Sequence, residues 1–456
     1  MKLWDKDIKT KEEVLKFTVG NDRVFDQVLA PYDVIGSMVH VIMLGETGLL
    51  IREEAKELAE ALADYYPETV KPEFRLGPDE EDIHSHLENY LVTKVGDAGK
   101  KIHTARSRND QVMTAMHLFM KEEYRLIVEE TTALFGTLLK QAGTFSKILI
   151  PGYTHTQVAM PSSIGIWLGA YAESLVDDLR LASGIIKVLD QNPLGSAAGY
   201  GSSFPVDRDL TTRLAGFSEL QVSSVSSQLS RGKMESYMAF GLSALASTMS
   251  RLASDMILFM NHDMRFISFS DELTTGSSIM PHKKNPDVLE LIRAHSNMVI
   301  QLPSMLNGLS GNLISGYHRD FQLTKEILFP GIEKIHNCLS MMKLMVSDMQ
   351  PREGILENEK YAHIFSVEEV NKKVMEGKSF RDAYREVASE IASGQYKAGR
   401  GSTYTHVGSI GNPGLDRIGE KMIKVQKEIA IKPVEELFES LKEYYRQSVT
   451  SQGSGS

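Results

Sequence analysis

Apolar residues recur through the middle of the chain at alternating intervals of four and three. Met238, Leu242, Leu245, Met249, Leu252, Met256 and Phe259 form such a row, the seam expected of a helix in a coiled-coil-like bundle. Between them lie Ala244, Ala246, Ser247, Ser250 and Ala253, small enough to let neighbouring helices come close. No proline occurs from Val206 to Met280, so one very long helix fits within that interval. Similar rows predict helices from Met113 to about Leu139, from Ser162 to Leu189, and from Asp287 to about Met349 with a break near Pro303–Gly316. Strand signals are few, and the fold expected is all-α. A row this apolar is either core within one chain or a seam between chains, and the pattern alone does not choose.

The pattern changes twice. Residues 1–105 are mixed, with charged helical stretches and Pro67, Pro72 and Pro78. Residues 106–350 carry the long rows. From 351 to 456 the chain turns to short charged helices, a glycine-rich stretch at Gly399–Gly414, and a Ser-Gln-Gly-Ser-Gly-Ser ending at Ser451–Ser456 that reads as a disordered tail. Three domains with these bounds match the length prior of about three. No internal repeat is visible.

Composition narrows the function. Acidic residues outnumber basic ones, 60 to 50, giving a net charge of only −10. No basic run interleaved with aromatics or arginine-rich arm points to nucleic acid. The single cysteine, Cys338, has no thiol with which to pair or to hold zinc and reads as a core filler. The charged start, Met1-Lys2-Leu3-Trp4-Asp5-Lys6-Asp7, lacks the apolar centre of a signal peptide. No uncharged apolar run reaches the roughly 20 residues of a membrane helix. The expectation is a soluble, cytoplasmic protein with no membrane partner.

The densest chemistry lies at Gly276-Ser277-Ser278-Ile279-Met280-Pro281-His282-Lys283-Lys284-Asn285-Pro286. Gly276 frees the backbone, and two prolines forbid a helix through the run. Such a loop closes over an anion and sets a hydroxyl, a Lys and an amide beside it. A polar helix–helix connection is the plain alternative, but the string resembles the G-S-S-x-M-P-x-K-x-N signature of the fumarase/aspartase superfamily at every specified position. A second cluster, His103-Thr104-Ala105-Arg106-Ser107-Arg108-Asn109-Asp110-Gln111, precedes a long helix. Read alone it is either a solvated helix cap or a carboxylate clamp, since arginine binds carboxylates bidentately and a helix N-terminus attracts anions. It resembles H-T-G-R-S-R-N-D-Q, typical of argininosuccinate lyases, with Ala105 in place of the usual glycine, a small change.

Other segments extend the resemblance over nearly the whole chain. Pro151-Gly152-Tyr153-Thr154-His155-Thr156-Gln157 resembles P-G-Y-T-H-x-Q, read here as a turn between helices. In the family that histidine is held by a glutamate, whose match is Glu290. Tyr317-His318-Arg319-Asp320-Phe321-Gln322-Leu323-Thr324-Lys325 resembles Y-N-x-D-x-Q-x-x-K, with His318 replacing an asparagine. Glu81-Asp82-Ile83-His84 resembles E-D-x-H. Two departures stand out. Asp5-Lys6-Asp7 occupies the place of a Gly-Gly-Arg-Phe, and Asn21-Asp22 runs directly into Arg23 without a serine that in the family lies near the amino-acid end of the substrate. The region around Gln228–Glu235 fits poorly, leaving Arg231 as a guess at a further contact.

The resemblance implies an all-α homotetramer whose long helices form a common core and whose active sites each draw on three chains. It implies reversible β-elimination of argininosuccinate to arginine and fumarate, in arginine biosynthesis, through an aci-carboxylate carbanion and without cofactor or metal. The catalytic set implied is Ser277, His155, Glu290 and Lys283. The substrate contacts implied are His84, Ser107, Arg108, Asn109, Thr154, Asn285, Tyr317, Gln322 and Lys325. The resemblance assigns the base to Ser277, whereas bare chemistry nominates His155, so the acid and base roles are exchangeable. The rivals are another fumarate-releasing lyase and a non-catalytic, crystallin-like structural homologue. A metal reading of His84 and His86 lacks a third ligand at metal spacing. Gly377-Lys378-Ser379 mimics the end of a phosphate loop, but Lys372 stands where glycine is required.

Overall fold

The structure is a computed structural model and describes residues 11–77, 80, 82–397, 399 and 404–450. The Asp5-Lys6-Asp7 departure, Pro78, Glu81 and the Ser451–Ser456 tail lie outside the described residues.

Sixteen α-helices are described: α1 (Glu12–Val19), α2 (Asp22–Glu46), α3 (Arg52–Thr69), α4 (Ile83–Val95), α5 (Arg108–Thr144), α6 (Ile164–Leu189), α7 (Arg208–Leu214), α8 (Ser224–Leu229), α9 (Lys233–Met260), α10 (Asp287–Val299), α11 (Leu302–Ser310), α12 (Thr324–Asp348), α13 (Ser366–Met375), α14 (Phe380–Ala392), α15 (Leu415–Glu428) and α16 (Val434–Thr450). Beside five short 3-10 helices, the described residues form three two-stranded sheets: β1 (Leu149–Thr154) with β2 (Gln157–Ser163), β3 (Gln191–Asn192) with β4 (Glu219–Leu220), and β5 (Ile267–Ser268) with β6 (Gln350–Pro351). The fold is an all-α bundle, as the apolar rows predict.

The long helices start where the sequence offers caps. Ser107 accepts from the Asn109 amide, and Asp110 reaches back to the Ser107 amide, closing a capping box on α5. Ser163 caps α6 through the Ile166 amide at 3.2 Å. Ser379, in the segment that mimicked a phosphate loop, caps α14 through the Asp382 amide at 3.2 Å.

The interval from Val206 to Met280 does not form one helix. Gly216 and Gly232, at φ +66° and +77°, punctuate it, and the long helix is α9, starting at Lys233. The later stretch breaks where expected: at Ile300–Gln301, just ahead of Pro303, which sits in the first turn of α11 where its missing N–H is harmless, and again between Ser310 and Thr324.

The α9 row resolves as core within the chain rather than a seam between chains. Met238, Leu242, Leu245, Met249, Leu252, Met256 and Phe259 are all buried against α6, α10 and α12. Close approach depends on Gly241. A Cβ there would stand 2.1 Å from the Tyr124 hydroxyl, which donates to the Met238 carbonyl at 3.1 Å. A different set of apolar side chains faces outward, among them Phe240, Leu291, Met298, Met305 and Leu344. Cys338 is buried in the bundle, as expected of a core filler.

Helix α2 is the one described helix long and apolar enough to cross a membrane, and 83% of its apolar window is buried inside the protein. It packs between α3 and α5 and is a core helix.

Candidate active site

A cleft of about 190 Å³ opens where the starts of α2, α4 and α5 meet α12 and the segment before it. His84, Arg108, Asn109, Tyr317, Gln322 and Lys325 line it, six of the residues selected from sequence. Arg231 also lines it, with its guanidinium 4.7 Å from the centre of the Tyr317 ring.

The cleft has its own electrostatic logic. Lys325 is ion-paired to Asp26 at 2.5 Å and to Asp22. Burial works against its charge, but the two carboxylates prevail and raise its pKa, keeping it an ammonium. His84 is buried, with Nδ1 3.1 Å from Asp33, whose other oxygen accepts from Gln111 at 3.0 Å. Burial lowers the imidazole's pKa, but Asp33 outweighs it and the net direction is upward. Among the described residues its Nε2 is buried without a partner, so this wall of the cleft holds a ring nitrogen free for a ligand. Arg108 is held by Asp82 at 2.9 Å and Ser85 at 2.8 Å. Four fixed cations (Arg108, Arg231, Arg319, Lys325) face three carboxylates (Asp22, Asp26, Asp82) in the lining, leaving one net positive charge before His84 is counted. Such a lining suits a zwitterion carrying an excess of carboxylate.

Ser107 and Gln322 are engaged within the chain. Ser107 serves as the α5 cap, the plain reading of its segment, while Arg108 and Asn109 beside it line the cleft. Gln322 donates to the Val19 carbonyl at 2.8 Å and the Thr18 carbonyl at 3.2 Å, tying the end of α1 to the cleft. Behind the cleft, Asp110 is buried and accepts from the amides of Gly195 and Ala197 at 3.0 and 2.9 Å, and burial pushes its pKa up to about 6. Ala105 has φ +60°, so the residue standing for glycine occupies a left-handed position and its substitution carries strain.

The remaining selected residues lie elsewhere in the chain. Thr154 and His155 are at the tip of the β1–β2 hairpin, not in a turn between helices. Thr154 pairs with Gln157 across a two-residue turn, and both turn residues, His155 at φ +52° and Thr156 at φ +60°, are left-handed. Two strained non-glycine residues carrying an exposed imidazole are a costly way to build a hairpin, and such strain gathers at functional sites. Among the described residues His155 has no ion pair in the chain, with Glu290 or any other group. Glu290 is exposed in the first turn of α10.

Ser277, Lys283 and Asn285 share the loop before α10. The Thr275–Asn285 bridge closes its neck, with Asn285 N donating to Thr275 O at 2.8 Å. Ser277 Oγ accepts from the amides of Met280 and Ile279 at 3.2 and 3.4 Å. Lys283 and Asn285 line a second cavity. Sequence reasoning missed Asp22, Asp26 and Asp82 as cleft-lining groups. Asp22 and Asp26 are four apart on one face of α2, the signal that was available.

A model of the family described as Lyase matches residues 7–301. The chain is 47% identical over 424 residues to an argininosuccinate lyase of Phocaeicola vulgatus, covering 93% of this chain and 95% of that one. It is 42% identical to an argininosuccinate lyase of Thermotoga neapolitana, covering 85% and 98%. Among solved structures, an EDDS lyase in complex with formate superposes with a TM-score of 0.76 at 20% identity, covering 97% of this chain and 96% of that one. A class II fumarase from Schistosoma mansoni gives 0.66 at 15%, covering 92% and 98%. The two structural likenesses speak to fold alone.

Proposed function

The chain belongs to the argininosuccinate lyase family, and from that premise we propose that it splits argininosuccinate reversibly into arginine and fumarate by β-elimination. The observation that carries this reading is the mixed-charge cleft, with Lys325 locked between Asp22 and Asp26 and a bare His84 Nε2 beside Arg108. An amine with several carboxylates finds both signs of partner there.

The proton to be removed lies on carbon beside a carboxylate and is a very poor acid. Its loss adds a second negative charge to that carboxylate, so the chief need is preorganised donors where the charge grows. Lys283 and Asn285 are the donors of this scheme. Ser277 is its base. A hydroxyl is a weak base unless its alkoxide is stabilised, and the two backbone amides on Ser277 Oγ favour the ionised form. Closure of the loop beside Lys283 and the expulsion of water act in the same direction. His155, paired with Glu290, donates the proton to the departing guanidino nitrogen. The two roles exchange without altering the residue set.

Neither the loop nor the hairpin lines the cleft of its own chain, so this scheme needs residues from neighbouring copies. A homotetramer with shared sites meets that need, and the outward-facing Phe240, Leu291, Met298, Met305 and Leu344 offer apolar surface for such contacts. A cytoplasmic setting, with α2 in the protein core rather than a bilayer, completes the reading.

The test is ultraviolet detection of fumarate from purified protein offered argininosuccinate, adenylosuccinate, aspartate and malate separately. Fumarate from argininosuccinate alone supports the reading. Fumarate from another substrate keeps the elimination and overturns the specificity, pointing to the serine missing beside Asp22. Silence on all four sinks the enzymatic reading.

A further inference from the structure

The second cavity, of about 890 Å³, is lined by the 280–286 end of the loop and shares no lining residue with the substrate cleft. The end of α9, the β5–β6 pair and the loop enclose it. Arg265, Lys283, Lys284 and Arg352 all line it, and no carboxylate does. Lys284 is paired to Asp271, which lies outside the lining. Among the described residues the other three cations have no counter-ion, and the Arg265 guanidinium lies against the His262 ring nitrogens at 2.6 and 2.8 Å.

The two arginines are placed by rigid backbone. Ile267 pairs with Pro351 in the antiparallel β5–β6 ladder, and the Arg352 amide donates to the Phe266 carbonyl at 2.8 Å. Residues 265 and 352 therefore flank adjacent rungs at one end of the pair. Arg265 itself is at φ +47°, a strained position for a residue with a side chain. Uncompensated like charges converging on a concave surface repel one another, and the field they create draws in an anion. Phosphate groups suit this geometry because each offers several acceptor oxygens to forked guanidiniums arriving from separate segments.

We propose that this cavity binds a phosphate-bearing anion, and that the bound anion engages Lys283 and holds the 276–286 loop away from the substrate cleft. The site then acts as a brake on turnover. Only that effect on turnover rests on the lyase reading. Binding itself does not, and is measured separately.

Inorganic pyrophosphate is the probe, titrated calorimetrically into the intact protein at low and at high salt. Saturable binding that weakens as salt screens it is expected. Arg265→Gln with Arg352→Gln should weaken it by about tenfold or more, while the charge-keeping pair Arg265→Lys with Arg352→Lys retains most of it. Inhibition of fumarate release should be non-competitive with argininosuccinate and should be relieved in the glutamine pair. Absence of saturable binding at low salt overturns the site. So does binding, or competitive inhibition, that the glutamine pair leaves intact, because the anion would then sit in the substrate cleft. Inorganic phosphate run in parallel distinguishes a site for one phosphate group from one needing two.

Discussion

Lys325 on α12 and Asp26 on α2 meet at 2.5 Å with both side chains almost wholly withdrawn from water, 5% and 4% exposed. The pair joins segments 299 residues apart in sequence and forms one wall of the cleft. Asp22 lies on the same ammonium, so removing Lys325 leaves two carboxylates facing each other in a poorly hydrated space. Lys325→Met should cost about 3–5 kcal/mol, the usual penalty for stranding buried charge. Adding Asp22→Asn and Asp26→Asn should recover much of that loss, because the stranded charge goes too. Urea unfolding of the three proteins checks it; equal stability of the wild type and Lys325→Met would show that the wall is not held this way.

Ser277→Ala and His155→Asn should each lower kcat by about 10²–10⁴, the range for a positioned acid or base, with little change in substrate affinity. Neither residue lines the cleft in which the substrate is expected to sit, so binding and chemistry should separate. Pre-steady-state fluorescence binding and single-turnover fumarate release measure the two. A fully active Ser277→Ala enzyme would remove the serine from the mechanism.

Ala105 is half-buried at φ +60°, where a Cβ is strained by about 1–2 kcal/mol. Glycine removes that strain but adds unfolded-state entropy worth about 0.4–1 kcal/mol. Ala105→Gly should therefore raise stability by about 0.5–1 kcal/mol, visible as a small upward shift in Tm. A fall in Tm would mean that the methyl group contributes packing that outweighs the strain.

The helices were legible because their apolar rows keep the helical period over many turns, as Met238 to Phe259 do. The hairpin at Leu149–Ser163 was not. Pro151, Gly152 and Pro161 interrupt both strands, erasing the alternation that announces a strand, and a turn led by His155 and Thr156 has no glycine to mark it. The cleft residues His84, Arg108, Tyr317 and Lys325 were legible through the motifs around them. Asp22 stood out only through the serine missing beside it, and Asp26 carried only charge, which on a helix usually means a solvated face. The α9 row was legible as helix but not as core, since periodicity does not say which surface lies opposite.

His336 on α12 joins two acids of α5, with Nε2 2.8 Å from Glu123 and Nδ1 2.8 Å from Glu130. Burial lowers the imidazole's pKa, but the two carboxylates prevail and raise it above its ordinary 6.5. Because the folded value is the higher one, the stabilisation is fully present below about pH 6.5 and fades as pH rises through the folded value. With the side chain 23% exposed, His336→Gln should cost about 1–2 kcal/mol near pH 6 and distinctly less in alkaline solution. Denaturation midpoints across that interval report the difference, and a pH-independent penalty would exclude the imidazolium clasp.

The separation of the hairpin and loop from the cleft leads to the last expectation. If Ser277 and His155 reach one substrate from different copies of the chain, each inactive variant still carries the residue the other lacks. Ser277→Ala and His155→Asn proteins, dissociated together in mild denaturant and allowed to reassociate, should then form mixed oligomers in which some sites hold both intact residues. Activity should reappear in the mixture and not in either variant treated alone. If both residues came from one chain, every site in a mixed oligomer would still lack one of them, and no amount of subunit exchange would restore turnover. The readout is fumarate absorbance after reassociation, with sedimentation confirming that subunits have exchanged. Exchange without recovery would place Ser277 and His155 on the same chain and discard the shared-site scheme.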